Sequence, residues 1–143
     1  MTTTTGTIDG RSAGASWAPS VFKTAAAVTF ALGVVMHTTR LLIGVENMVR
    51  YVMTPPVDIA FAVVVLIAAI PGWLSWRRYS GGRAGRLAYG FMMFMLIISL
   101  PIHFRTLLTW STEYLMAFPT WYSAIEVPMF FALSVTAARL KFD

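Results

Sequence analysis

The chain predicts an all-α polytopic membrane protein with four transmembrane helices in an up-down bundle. Three observations carry that prediction. Of its 143 residues, 57% are hydrophobic and only 12% are charged, about half the share of a typical water-soluble domain. Uncharged runs such as 59–76 and 87–104 are apolar on every face, so lipid is their natural surrounding. The basic residues gather beside these runs rather than within them.

A chain of this length is one domain. Residues 1–19, rich in Thr, Gly and Ser, read as a disordered N-terminal tail, because they contain almost nothing that could form a core. They lack the basic region, apolar stretch and cleavage site of a secretory signal. The rest, 20–143, reads as the transmembrane domain, with spans at about 24–44, 55–76, 87–110 and 119–139, each near the ~20 residues a bilayer requires. Pro55 and Pro56 open the second span and Pro119 the fourth, where a first helical turn needs no amide donor. Pro71, Pro101 and Pro128 fall inside spans, where each frees a carbonyl and is expected to kink its helix. The partly apolar connections at 45–54 and 111–118 read as short interfacial caps.

Orientation follows from charge. The connection between the second and third spans holds Arg77, Arg78, Arg83 and Arg86; Lys23 precedes the first span, and Arg139 and Lys141 follow the fourth. In a four-span chain all of these lie on one side, which by the positive-inside rule is the cytoplasm, with both termini there and the protein in the cell membrane. That side carries eight basic and two acidic residues, the other three basic and four acidic. Both histidines belong to the second, acidic side. The net charge of +5 is thus a topology signal, and no aromatic-interleaved basic patch suggests nucleic acid as a partner. Cysteine is absent, which excludes disulfides and thiolate chemistry.

Trp73, Trp76 and Tyr79 near one interface, and Trp110, Tyr114, Phe118, Trp121 and Tyr122 near the other, match the aromatic belts of membrane proteins. The order His37, Arg40, Leu-Leu, Glu46, Pro55, Asp58 recurs as His103, Arg105, Leu-Leu, Glu113, Pro119, Glu126, the pattern of a duplicated helical hairpin whose halves would be parallel repeats with a site between them.

The candidate site comes from the polar residues within the spans. From a rise of ~1.5 Å per residue, His37, His103 and Glu126 lie about 10 Å below the outer helix ends, Asp58 is shallower, and Arg40 and Arg105 sit a turn or less above the histidines. A carboxylate among hydrocarbon costs about 2.5 kcal/mol or more, so Glu126 must face the bundle and be protonated or paired, with Arg40, Arg105, His37 and His103 as candidate partners. The histidines read as interhelical hydrogen bonders, as acid–base groups beside Glu126, or as ligands of a metal or haem. The arginines read as headgroup anchors or as recognition groups for an anion. The Met92, Met93 and Met95 run reads as packing rather than a soft-metal site. Glu46, Arg50 and Glu113 read as solvated.

The stretch Pro119-Thr120-Trp121 through Glu126-Val127-Pro128-Met129-Phe130-Phe131 resembles the Pro-x-Trp, Glu, Pro-Phe-Phe segment of the sterol-isomerase and sigma-2-receptor-like membrane superfamily. There the segment belongs to an earlier helix, and here to the last, so the resemblance implies architecture only and carries no site residue across.

The reading that follows is a protein that binds or senses a small amphipathic or lipid-like ligand in an outward-facing pocket within the bundle. The ligand-binding candidates are His37, Arg40, Asp58, His103, Arg105, Trp121, Tyr122 and Glu126. One rival is a membrane-embedded isomerase or hydrolase with Glu126 and His103 as catalytic acid–base groups. Another is an electron-transfer subunit with bis-histidine haem. A third is a scaffold whose polar groups only hold helices together. No cofactor motif is present, no metal site is assigned, and a second copy or larger membrane complex would suit so small a chain.

Overall fold

The computed structural model describes residues 16–143; of the expected tail, 1–15 lie outside the described residues. Five α-helices follow in order: α1 (Ala18–Ile43), the single turn α2 (Val45–Asn47), α3 (Pro55–Ser75), α4 (Arg83–Thr109) and α5 (Thr120–Ala138). The helices α1, α4 and α5, and α3 extended by a tight turn to Arg78, are each long and apolar enough to cross a membrane. Their outward side chains are those of a lipid-facing surface: Leu42, Leu87, Ile67 and Leu108 project away from the bundle, Leu108 with 89% of its area exposed. The fold is all-α, as the hydropathy predicts.

Boundaries differ from expectation at two helix starts. The first helix begins at Ala18 rather than near 24, because Pro19 suits a first turn and Phe22 is fully enclosed in the core. The third long helix begins at Arg83, where Gly82 gives an extended lead-in; its exposed arginines extend the helix beyond the apolar run. Pro71, Pro101 and Pro128 all lie within continuous helices. The connections at 45–54 and 111–118 both form helical caps, Val45–Asn47 continuing as a wider turn through Met48–Val52, and a tight turn at Glu113–Ala117.

The long helix α1 packs along α5 and α3, and α3 packs along α4, whereas α4 and α5 scarcely touch. Close approach rests on small residues. A Cβ on Gly33 would lie 2.6 Å from the Phe130 ring, and one on Gly72 2.4 Å from Met93 Sδ, so neither position admits a larger side chain without repacking.

The end of the bundle that carries the arginine-rich connection is a packed aromatic core. Tyr89 has no exposed surface and sits against Phe22 (ring centroids 4.8 Å apart), Trp76 (5.1 Å), Tyr79 (5.5 Å) and Phe142 (5.7 Å). Its hydroxyl donates to the Gly72 carbonyl at 2.5 Å, so the polar atom of this fully buried ring is satisfied. Tyr79 is therefore a core residue rather than the interfacial anchor its position suggests. The C-terminal residues hold the lid of this core: Ser80 N–H donates to the Lys141 carbonyl and Asp143 N–H to the Arg78 carbonyl, which fixes Phe142 over Tyr79 and Tyr89.

Candidate functional site

The opposite end, beneath the two helical caps, is built differently. It encloses a cavity of about 140 Å³ whose walls come from all four long helices and both caps. Most of the wall is apolar, with Phe30, Phe61, Phe130, Met36, Met48 and Met95 prominent. Five titratable side chains interrupt it: His37 and Arg40 from α1, His103 from α4, and Tyr122 and Glu126 from α5.

Two histidine–carboxylate pairs flank this space, and they are crossed. On one side, His103 Nδ1 lies 2.5 Å from Asp58 Oδ1, joining α4 to α3. Asp58 is fully buried behind the cavity wall. Its second oxygen accepts from the Thr106 hydroxyl and from the Tyr114 phenol, the latter at 2.8 Å. Every acceptor on this carboxylate is thus used, which is the condition under which a buried charge is tolerable. Burial raises the Tyr114 pKa above its ordinary value, and the Asp58 charge beside it acts in the same direction. Phe61 packs its ring edge to face with His103, centroids 4.8 Å apart, and backs the imidazole.

On the other side, His37 Nδ1 faces Ser123 Oγ at 3.0 Å, joining α1 to α5. Glu126 Oε2 approaches the same nitrogen to 2.8 Å but lies off the hydrogen-bond direction, and this buried oxygen has no aligned partner. Phe130 packs against His37 at 5.4 Å, with the same interplanar angle of 64° as Phe61 on His103. Arg40, 7% exposed, does not reach for headgroups. It donates to Ser123 Oγ at 3.2 Å and to the carbonyls of Phe118 and Leu115, tying the second cap down over the bundle. Its Nε, also buried, has no partner. Both orphaned atoms belong to side chains that line the cavity.

Of the other ligand-binding candidates from the sequence, Arg105, Trp121 and Asp58 fall outside the cavity. Arg105 is exposed and stacks over the Tyr114 ring at 5.2 Å, which places it on the outer surface of the cap. Trp121 is 64% exposed and packs edge to face on Tyr122, as an interfacial anchor would. Tyr122 does line the cavity, one helical turn before Glu126. Asp58 reaches the cavity only through His103. Glu46, Arg50 and Glu113 are exposed. Met92 and Met93 are core residues, and Met95 is part of the cavity wall.

Sequence reasoning passed over Thr106, Ser123, Phe61 and Phe130, which orient the pairs. Their only signal is register: Ser123 stands one turn before Glu126 on α5, and Thr106 one turn after His103 on α4.

The geometry bears on cofactors. Among the described residues no three His, Cys, Asp or Glu side chains converge closely enough to hold a metal ion. The cavity is comparable to one that accommodates benzene, far smaller than a porphyrin needs. The bis-histidine haem expectation therefore finds no fitting site here. Comparison with protein-family models, curated proteins and solved structures finds no significant match to this chain. The resemblance to the sterol-isomerase and sigma-2-receptor-like proteins finds no support in these comparisons.

Proposed function

We propose that this is a multi-pass membrane protein that binds a small lipophilic or amphipathic molecule in the cavity beneath its caps, with both termini in the cytoplasm and the cavity near the outer face of the cell membrane. The orientation rests on the four arginines between α3 and α4 and on Lys23, Arg139 and Lys141, all at the end away from the cavity. The observation that carries the binding reading is the pair of orphaned atoms, Arg40 Nε and Glu126 Oε2, held nine-tenths buried in an otherwise apolar hollow. Groups that served only to join helices would be expected to bond each other, as Asp58 does with its three donors. A ligand pocket instead leaves a few polar atoms open within apolar walls. The sparse contact between α4 and α5 offers a lipophilic molecule a route from the bilayer.

Photolabelling of the protein in lipid nanodiscs with a small lipophilic aryl diazirine tests the reading. Saturable labelling of Met36, Met48 and Met95, suppressed by Val65→Phe, which would fill the hollow, is the expected result. Labelling confined to the lipid-facing surface and unsaturable would contradict it.

A second reading is supported by the Asp58–His103 pair. A carboxylate on Nδ1 orients an imidazole and strengthens its far nitrogen as a base, the arrangement a proton-transferring enzyme uses. In that case His103 and Glu126 would exchange protons with a lipophilic substrate from opposite walls. Turnover lost with binding retained in Glu126→Gln would favour it over simple binding.

A further inference from the structure

The two histidine–carboxylate pairs are related in a way that specifies a ligand. In chain order the first hairpin supplies His37 and Asp58, and the second supplies His103 and Glu126. Each histidine meets the acid of the other hairpin: His37 meets Glu126, and His103 meets Asp58. The helix contacts follow the same exchange, since α1 lies on α5 as α3 lies on α4. Each imidazole is then held edge to face by a phenylalanine of the helix that supplies its acid, Phe130 or Phe61. The outcome is a hollow with one polar station on the α1–α5 side, another on the α3–α4 side, and aromatic and methionine walls between.

The stations offer particular hydrogen bonds. On the α1–α5 side a buried donor, Arg40 Nε–H, and a buried acceptor, Glu126 Oε2, both lack a hydrogen-bond partner, the oxygen lying 2.8 Å from His37 Nδ1 but out of line with it. A hydroxyl, which donates once and accepts twice, satisfies both. On the α3–α4 side His103 turns Nδ1 to Asp58, and in the tautomer that donates from Nδ1 the lone pair is on Nε2, a nitrogen with no protein partner among the described residues. It accepts a hydrogen bond from a second hydroxyl. The volume between, about 140 Å³, is that of a single six-membered ring.

Resting on the reading of the hollow as a ligand pocket, we infer that its ligand is a lipophilic ring bearing hydroxyl groups at opposite edges, a 1,4-dihydroxyaromatic of the quinol class, with one oxygen between Arg40 and Glu126 and the other on His103. Any alkyl chain on such a ring leaves between α4 and α5, where the helices barely touch.

Equilibrium binding to the full-length protein in nanodiscs, with partition into empty nanodiscs subtracted, tests this with four probes of similar size. They are 2,3-dimethyl-1,4-hydroquinone, its 1,3-dihydroxy isomer, a monophenol with the same methyl groups, and p-xylene. The hydroquinone is expected to bind about tenfold or more tighter than the monophenol, and the monophenol tighter than p-xylene by a similar factor, as hydrogen bonds to charged or strongly polar groups supply. The 1,3 isomer should fall back to the monophenol. Glu126→Gln and His103→Leu should each remove about one of these steps while p-xylene binding persists. The wild-type series decides the matter even where a variant does not fold. Equal binding of all four probes overturns the quinol assignment and leaves the pocket standing. Absence of binding by every probe, p-xylene included, overturns the pocket as well.

Discussion

Tyr89 and Glu126 occupy opposite ends of one bundle, and both are almost wholly enclosed. Tyr89 is wrapped by four aromatic rings and its hydroxyl is bonded; Glu126 borders a hollow and one of its oxygens is not. Packed aromatic cores recover dispersion energy at every contact, whereas an open cavity forfeits those contacts and a buried unpaired oxygen adds a further cost. The same 143 residues therefore contain one end built for cohesion and another that gives up stability, the usual mark of a site whose geometry serves something other than folding.

That contrast can be broken most forcefully at the aromatic end. Tyr89→Ala is expected to cost about 3–5 kcal/mol, the range for emptying a buried aromatic site, read from reversible unfolding in mixed micelles. A loss under about 1 kcal/mol would mean the core is loosely packed and the comparison false.

A second contrast lies within the cavity end, between its two carboxylates. Asp58 accepts from His103, Thr106 and Tyr114. Asp58→Ala leaves its three donors, the buried Thr106 among them, without their acceptor and is expected to cost about 3 kcal/mol. Thr106→Val, which removes one of those donors and keeps the shape, should cost about 1 kcal/mol. Parity between the two would show that the Asp58 cluster is not a network.

Smaller still is a pH effect outside the spans. Burial raises the pKa of Tyr114. The phenol is neutral in the folded protein at a pH where the unfolded chain would ionise it, so its stabilising contribution is complete below the ordinary tyrosine value of about 10 and declines as pH rises through the elevated folded value. Tyr114→Phe should flatten the alkaline limb of the stability profile. An unchanged limb would place Tyr114 in solvent.

Much of the architecture was legible in the residues because hydropathy alone selects the spans, and because a carboxylate such as Glu126 has nowhere to go in lipid but inward. Arg77, Arg78, Arg83 and Arg86 marked one end of the bundle for the same reason. The crossed pairing was not legible. Which acid meets which histidine depends on helix rotation, and rotation here is set by close approaches such as Gly33 on Phe130 and Gly72 on Met93, which leave no periodic trace. Nor could Arg40 be distinguished from a headgroup anchor, since its acceptors are backbone carbonyls of a cap, and carbonyls belong to every residue. Trp121 and Arg105 were near the site in depth but face outward, a choice that depth estimates from helical rise cannot make.

On the proposed reading, Glu126 is held for a ligand rather than for the fold. Unfolding of Glu126→Gln in the absence of added ligand tests it most directly. Stability within about 0.5 kcal/mol of the parent protein, or above it, is expected, because Glu126 Oε2 has no aligned hydrogen bond to lose and glutamine keeps the shape. A loss of about 3 kcal/mol or more, matching Asp58→Ala, would make Glu126 a structural lock between α1 and α5 and contradict the account.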